Sequence, residues 1–399
     1  MEPAASTTVQ TATTFSLRPL MFGSFACTMA IMAFVALAGP VARTLSLEPW
    51  HVGAAISVSG VAWSATARRW GRLSDQRGRR SVLLTGVAGF AVAYLVLCGF
   101  IDFALRTTLP VGLAFAGLLL GRTLVGIFYA AMPATGAALV ADHVAPDQRA
   151  GALAALGAAS GVGMVLGPGF VGLFSPLGLS LPLFVTALLP ICAYLVLWSF
   201  LPRTEQHNTR PMSPPRPNDP RLRRPMLVAF LASFSIATAQ VTVGFFALDR
   251  LEIEPAAAAQ VAGIALTVVG VSLVLSQGLL RKLGWPPLRL IRIGTTVAAV
   301  GFAATTLATT AWGLWLALGL AALGMGWVNP SVSALAANSV EDHEQGVAAG
   351  TITAMQGLGS IVGPAVGTLV YAISEGAPYL MVAALFLVAG FLVRNTKPA

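Results

Sequence analysis

The chain has 399 residues, of which 56% are hydrophobic and only 10% are charged, and its formal net charge is +9. A soluble domain carries about 25% charged residues, so this composition excludes an ordinary soluble fold and indicates a protein embedded in lipid. The positive charge does not indicate nucleic-acid binding, because the basic residues lie in short segments between apolar runs and form no continuous basic face.

The first segment, residues 1–17, is rich in Ser and Thr and contains no Lys or Arg. A secretory signal would begin with a basic region, so we interpret this segment as a disordered cytoplasmic tail. Arg18 and Pro19 then lead into an apolar run that is one of many.

Twelve apolar runs follow along the chain. A helix needs about 20 apolar residues to cross the hydrocarbon core, so we predict an all-α membrane protein with twelve transmembrane helices, called spans 1 to 12. Their predicted bounds are 20–42, 51–68, 82–102, 109–132, 150–174, 179–201, 226–248, 257–280, 288–310, 312–334, 347–373 and 377–394.

The distribution of positive charge predicts the orientation of these spans. Twenty of the 24 Lys and Arg residues fall in the tails and in the connections that would share one side of the membrane. Positive charge accumulates on the cytoplasmic side, so both termini are expected to be cytoplasmic. The exceptions are Arg43, Arg106 and Arg250 on the other side, and Arg122 within span 4.

A polar segment divides the spans into two groups of six. Residues 202–225 contain seven prolines and six arginines and almost no apolar residues, which predicts a cytoplasmic linker. The predicted domains are therefore an N-terminal six-helix bundle, 18–201, and a C-terminal six-helix bundle, 226–399.

The two predicted bundles share a sequence motif. Gly163-Met-Val-Leu-Gly167-Pro168 recurs as Gly359-Ser-Ile-Val-Gly363-Pro364, displaced by 196 residues. A repeated half is typical of transporters whose two bundles surround a site at the membrane midplane. We therefore expect the bundles to be related by a pseudo-two-fold axis along the membrane normal.

The connection between spans 2 and 3 reads Gly71-Arg-Leu-Ser-Asp75-Gln-Arg77-Gly78-Arg79-Arg80. This segment resembles the signature loop of the major facilitator superfamily, except that Gln76 replaces the Arg that follows the Asp. The resemblance implies a gating role, in which Asp75 caps a positive helix N-terminus at span 11 and holds the cytoplasmic side shut. The alternative is that these arginines only set the topology.

Span 4 contains Leu118-Leu-Leu-Gly-Arg122-Thr-Leu-Val-Gly126, which resembles the buried-arginine motif of the same family. A charge at that depth costs on the order of 3 kcal/mol, so Arg122 needs a partner or contact with water. No carboxylate in spans 1, 4, 5, 10 or 11 is placed to neutralise it. Three kinds of partner remain to compensate the charge of Arg122: backbone carbonyls and polar side chains, an interfacial acid that reaches inward, or an anionic group on the substrate.

Span 5 carries small residues at four-residue spacing together with a proline, which resembles the antiporter motif of drug/proton exporters, although generic helix packing explains the same spacing. These residues are Gly157, Gly163, Gly167, Pro168 and Gly172. The resemblance covers the whole chain and is nearest the twelve-helix drug/proton antiporter group, which includes the tetracycline exporters. It implies a multi-pass protein of the bacterial inner (cytoplasmic) membrane.

Many members of that group place a proton-carrying carboxylate in span 1, but span 1 of this chain contains none. The candidate proton carriers are Asp102 and Asp249, near the outer ends of spans 3 and 7, and both are also consistent with ordinary interfacial residues. Proton coupling is therefore implied by the family resemblance alone.

Spans 1, 4, 7, 10 and 11 are expected to line the substrate cavity. Aromatic and Met side chains with a few polar groups suit an amphipathic organic ligand. The candidate lining residues, besides Arg122, are Phe25, Met29, Met32, Tyr129, Gln240, Phe246, Trp327, Asn329 and Gln356.

The primary functional hypothesis is export of a small organic molecule, a drug or a metabolite, from the cytoplasm by alternating access, in exchange for protons. The alternatives are a dedicated exporter of an anionic metabolite such as a siderophore and a nutrient importer. The expected partners are the small-molecule substrate, protons and the lipid bilayer, with the chain as a monomer. We expect no enzyme activity, cofactor or metal, because the sequence has no Ser/His/Asp order, no phosphate-binding loop and no residues at metal-ligand spacing. The three cysteines, Cys27, Cys98 and Cys192, lie inside apolar runs.

Overall fold

The computed structural model describes residues 15–145, 147–201, 219–341 and 344–394, and the regular structure in these ranges is helical. Residues 202–218 of the predicted linker lie outside the described residues. The helices are α1 Arg18–Thr44, α2 Pro49–Arg77, α3 Arg79–Arg106, α4 Val111–Tyr129, α5 Ala131–His143, α6 Arg149–Phe174, α7 Leu181–Phe200, α8 Arg223–Arg250, α9 Pro255–Leu283, α10 Pro287–Thr305, α11 Ala311–Ala337, α12 Gln345–Tyr371 and α13 Ala377–Arg394, with a single 3₁₀ turn at Ser175–Leu177.

The twelve-span prediction is confirmed, although the spans differ in apolar character. Within the described ranges, ten helical stretches are long and apolar enough to cross a membrane, and α4 and α5 together form one of them, Val111–His143. The shorter apolar helix Ala377–Leu392 and the more polar α2 complete the set. Two six-helix halves result, α1–α7 and α8–α13.

The predicted end of span 2 was wrong. The expected loop at residues 69–77 forms the last turns of α2, and Gly78 alone separates α2 from α3. Gly78 has φ +88°, a backbone conformation that favours glycine. No Pro or Gly-rich break precedes it, so the helix continues past the apolar run and carries the arginines toward water.

The first half contains a close crossing of α1 and α6. A Cβ placed on Gly163 would lie 2.6 Å from the carbonyl oxygen of Phe25, and one on Gly167 would lie 2.6 Å from that of Met29. These distances are far shorter than ordinary contacts, so the two helices touch along their backbones, as small residues at four-residue spacing permit.

The second half repeats this crossing with α8 and α12. A Cβ placed on Gly359 would lie 2.5 Å from the carbonyl oxygen of Phe230, and one on Gly363 would lie 2.5 Å from that of Phe234. The glycine motifs repeated in the sequence therefore build the same helix pair twice. This is the structural counterpart of the internal repeat.

We expect Gly167→Ala to lower the stability of the folded protein, because the new methyl group would overlap the α1 backbone. Overpacking of this kind costs on the order of 1–3 kcal/mol. The measurement is the apparent melting temperature of the purified protein. Gly99→Ala on α3 is the control, since a Cβ there meets no atom within 4 Å. Equal melting temperatures for both variants would contradict the close crossing.

The molecule has two ends, defined here by the connections between helices. The linker face is the end where α7 finishes and α8 begins, and the opposite face is the end where α1 finishes and α2 begins. The buried apolar core runs between the helices of each half and continues across both halves near the opposite face. At the linker face, Arg221 donates to Glu344 at 3.0 Å, and its hydrogen bonds to Asp219 hold the pKa of that carboxyl below its usual value.

Candidate functional site

A cavity of about 470 Å³ lies between the two halves. This volume is in the range that accommodates a drug-sized molecule. Helices α1, α2, α4 and α6 of the first half line it, and α8 and α12 of the second half complete it. The lining residues are Thr28, Ile31, Met32, Val35, Ile56, Ser59, Gly60, Trp63, Arg122, Gly126, Tyr129, Met164, Ser233, Ile236, Ala237, Gln240, Val241, Gly357, Ser360, Ile361 and Pro364.

Two pairs of helices close the halves against each other near the opposite face. In the α2–α12 pair, a Cβ on Gly53 would lie 1.9 Å from Thr368 Oγ1 and 2.6 Å from the carbonyl oxygen of Pro364. In the α6–α9 pair, a Cβ on Gly263 would lie 2.5 Å from the carbonyl oxygen of Pro168. Each proline of the repeated motif therefore marks the point where its helix meets the other half.

The same helices stand apart near the linker face. A Cβ on Gly157 of α6, Gly278 of α9 or Gly350 of α12 would meet no heavy atom within 4 Å. The contrast between the two ends shows that this conformation is closed at the opposite face and open toward the linker face.

Polar contacts reinforce the closed end. Arg43 of α1 forms an ion pair with Asp249 of α8, and the Tyr371 hydroxyl of α12 donates to the same carboxylate at 2.8 Å. Close by, a Cβ on Gly39 would lie 2.7 Å from the backbone of Gly244, so α1 and α8 also touch directly. These contacts, together with the Gly53–Thr368 contact, are called the opposite-face closure below.

Arg122 is the charged residue of the cavity wall, and it is 3% exposed. It lies eleven residues after the start of α4, about 17 Å along the helix at 1.5 Å per residue. Its guanidinium carbon lies 4.6 Å from the centre of the Phe34 ring. Within the described residues, its Nε and Nη1 atoms are buried without a hydrogen-bond partner.

The remaining polar groups of the cavity come from both halves. The hydroxyls of Thr28 and Tyr129 lie 3.2 Å apart and link α1 to α4. Trp63 of α2 has a buried indole N–H without a partner among the described residues, and Gln240 reaches the cavity from α8. An apolar pocket with a few polar groups from each half suits an amphipathic ligand.

A helix break positions Tyr129 in this wall. Pro133 lacks the backbone N–H that would bond to the Tyr129 carbonyl, so α4 ends at Tyr129 and α5 begins two residues later. Two residues before Tyr129, the carbonyl of Ile127 accepts a hydrogen bond from the indole N–H of Trp70 at 2.7 Å, which ties the end of α4 to α2.

Four of the ten residues expected to line the cavity do so, namely Arg122, Met32, Tyr129 and Gln240. Phe25 and Met29 lie on α1 where Gly163 and Gly167 of α6 contact the α1 backbone, and neither residue lines the cavity. Gln356 is half-buried on α12, next to the lining residue Gly357. The roles of these residues in translocation stay predictions.

The structure places the other three expected lining residues away from the cavity. Phe246 is 0% exposed and packs edge-on against Tyr379, with ring centres 5.2 Å apart. Trp327 and Asn329 lie on α11, where the Trp327 indole donates to the Ser276 carbonyl of α9 at 3.2 Å. Span 10 was expected in the wall, but in this conformation α11 packs on α9 and α10 instead.

The sequence prediction missed two wall elements, α6, which supplies Met164, and α2, which supplies Ile56, Ser59, Gly60 and Trp63. The larger omission is α2. A signal for this role was present in its low hydropathy and its small polar residues. A helix that crosses the membrane with little apolar surface must face water or another protein surface.

The signature residues between α2 and α3 are engaged within their own half. Asp75 forms an ion pair with Arg79, whose buried side chain also donates to Asp142 at 2.9 Å and to Ser74 at 2.7 Å. Arg80 donates to the carbonyl of Trp198. The expected contact between Asp75 and span 11 is not formed in this conformation, in which the halves stand apart at the linker face.

The remaining members of the signature carry no comparable contact in the structure. Arg77 is exposed at the end of α2, and a Cβ on Gly71 would meet no heavy atom within 4 Å. These two residues therefore border the open space at the linker face. Their predicted part in gating stays a prediction.

The two candidate proton carriers lie outside the cavity. Asp102 pairs with Arg106 one turn away on α3, with an Nε–Oδ2 distance of 2.8 Å. Asp249 differs because its partners come from both halves, Arg43 from the first and Tyr371 from the second. A change in the charge of Asp249 would therefore act on the contact between the halves.

Comparisons with known proteins agree on one family and one fold. The family model described as Major Facilitator Superfamily matches residues 20–364. The class G tetracycline resistance protein of Vibrio anguillarum is 30% identical over 345 residues, 82% of each chain. The nucleoside transporter NupG has a TM-score of 0.71 at 15% identity, covering 96% of this chain and 99% of its own. A bacterial homologue of the human lysosomal transporter Spinster, inward-facing and unoccupied, has a TM-score of 0.70 at 15% identity, covering 96% and 98%.

Proposed function

The chain belongs to the major facilitator superfamily and is a multi-pass membrane transporter rather than an enzyme, and we propose that it exports a small organic molecule from the cytoplasm in exchange for protons. The proposed location is the bacterial inner membrane. The proposed mechanism is alternating access, in which the cavity opens to one side at a time.

The observation that carries this proposal is the cavity between the two halves, which is closed at the opposite face and open toward the linker face. The basic residues are concentrated in the connections of the linker face, so that face is assigned to the cytoplasm. In this conformation the cavity would load substrate from the cytoplasm, as an exporter requires.

Similarity to a tetracycline resistance protein supports the outward direction, because removal of a drug from the cell is how a transporter confers resistance. The fold alone does not choose a direction, since a nucleoside transporter shares it. The experiment therefore has to distinguish export from uptake of a nutrient.

Proton exchange requires a group that changes charge during the cycle. No Asp or Glu lies among the described residues that line the cavity. We assign the coupling role to Asp249, because its protonation would remove the charge that pairs with Arg43 and would loosen the opposite-face closure. Opening at that face would then follow proton entry from outside.

The test is transport in inverted membrane vesicles, whose outer surface is the cytoplasmic face. With an imposed proton gradient, acidic inside, we expect vesicles that contain the protein to accumulate tetracycline. An uncoupler should abolish the accumulation, and vesicles without the protein set the background. If the compound accumulates only in right-side-out vesicles, the protein takes it up and the proposed export is wrong.

We expect Asp75→Asn to lower transport while the protein still folds. Arg79 retains Asp142 and Ser74 as partners, so the connection between α2 and α3 remains anchored. The lost charge is the one that closure of the linker face would place against the N-terminus of α12, a charge–dipole contact worth about 0.3–1 kcal/mol. Initial transport rates, normalised to the amount of folded protein, check this. An unchanged rate would remove Asp75 from the gating mechanism.

A further inference from the structure

The buried arginine of the cavity lacks the partner that a charge at its depth requires. Arg122 is 3% exposed, and within the described residues two of its nitrogens, Nε and Nη1, donate to nothing. The residues that line the cavity around it include no acid. The site is therefore a positively charged point in an otherwise neutral, mostly apolar pocket.

The neighbours of Arg122 compensate its charge only in part. The Phe34 ring faces the guanidinium and supplies a cation–π contact on one side. The nearby tyrosine hydroxyls are used elsewhere, since Tyr94 donates to the Ala30 carbonyl at 2.6 Å and Tyr129 contacts Thr28. Neither the ring nor these hydroxyls satisfies the open N–H groups.

We propose that the substrate is an amphipathic organic anion whose carboxylate binds the Arg122 guanidinium. This inference rests on the proposed transport function and names its substrate class. A carboxylate supplies the opposite charge together with acceptor oxygens, and such charge-assisted bonds are about twice as strong as neutral ones. The apolar body of the ligand would lie against Met32, Trp63 and Ile236, which line the same cavity.

The position of Arg122 gives the anion a role beyond binding. Arg122 belongs to the first half, whereas Gln240 and Ile236 belong to the second half and border the same cavity. A ligand held by its charge at Arg122 and by its body at α8 would contact both halves together. Binding would then favour closure of the linker face around the ligand.

The experiment measures binding to the full chain in nanodiscs, with empty nanodiscs as the blank. The probes are 2-naphthoate, 2-naphthamide and 2-naphthylmethylammonium, which share one ring system and differ in charge. Calorimetric titration is expected to show that the anion binds on the order of tenfold more tightly than the amide, and the cation least. Arg122→Gln should remove this preference, and Arg122→Lys should keep part of it.

Gln240→Ala is the matched variant, because it borders the cavity without contributing charge and should weaken the three probes alike. Equal affinities, absent binding of naphthoate, or a preference for the cation overturns the inference. If the Arg122 variants do not fold, the ranking of the three probes on the unaltered protein still decides.

Transport assays separate this inference from the proposed export. If the protein exports in inverted vesicles, but naphthoate inhibits this export no better than naphthamide does, the anion site is overturned and the proposed export stands. A strong preference for naphthoate without transport in either direction supports the anion site and overturns export.

Discussion

Replacing Gly53 by leucine is expected to abolish transport while leaving a folded protein. Even a Cβ at this position would lie 1.9 Å from Thr368 Oγ1 and 2.6 Å from the backbone carbonyl of Pro364, so a leucine side chain cannot fit between α2 and α12. The opposite-face closure would be lost, whereas the packing inside each half would be untouched. Alternating access requires both faces to close in turn, so a cavity that stays open at one face cannot complete the cycle.

The measurements are the transport rate and the reactivity of a cysteine introduced at Ser57, which lies on α2 near the closed end. Labelling by a membrane-impermeant maleimide should be slow in the parent protein and fast in the Gly53→Leu variant. Gly112→Leu is the control, because Gly112 also lies at the opposite face but a Cβ there meets no atom within 4 Å. Full transport by the Gly53→Leu variant would show that α2 and α12 need not approach closely.

The helical repeat was predictable because its signal is local and chemical. Glycines at four-residue spacing followed by a proline have few roles other than a close helix crossing, and Gly163 and Gly359 make equivalent contacts in the two halves. The isolation of Arg122 was also visible in the sequence, since no acid occurs in the spans expected around it. The residue types of those spans are therefore enough to show that Arg122 lacks an acidic partner.

The residues of the cavity wall were less predictable, because the wall depends on how each helix is rotated. Phe246 lies on a lining helix, α8, yet it faces Tyr379 in the core of its own half, while Gln240 on the same helix faces the cavity. Helix α8 is apolar on most sides, so hydrophobic periodicity does not distinguish the two faces. Only the packing of neighbouring helices sets the rotation.

The conformational state was equally beyond the sequence. Asp75 was expected to contact span 11, but here it pairs with Arg79. The contact with span 11 stays a prediction for a conformation with a closed linker face. Local sequence patterns do not say which conformation a transporter adopts. The contacts that close the opposite face here, such as the ion pair between Arg43 and Asp249, join residues that are far apart in the chain.

Joining α2 to α12 by a disulfide is expected to stop transport completely and reversibly. The Ser57 hydroxyl accepts a hydrogen bond from the backbone N–H of Ala365 at 3.2 Å, so the two backbones are close at this point. Cysteines at positions 57 and 365 should therefore cross-link under mild oxidation. The bridge would hold the opposite face shut, and the cavity would remain open only toward the linker face.

The cross-linking should be carried out with Cys192 replaced by serine, because Cys192 is exposed, whereas Cys27 and Cys98 are buried. Each single-cysteine variant, oxidised in the same way, serves as the control and should retain its transport. Binding of ligand from the linker face should survive in the cross-linked protein, because the cavity itself is not altered. Reduction should restore the transport rate, since the bridge blocks a movement and damages no binding group. If the cross-linked protein transports at the full rate, separation of α2 from α12 is not part of the cycle, and the assignment of the opposite face as a moving barrier fails.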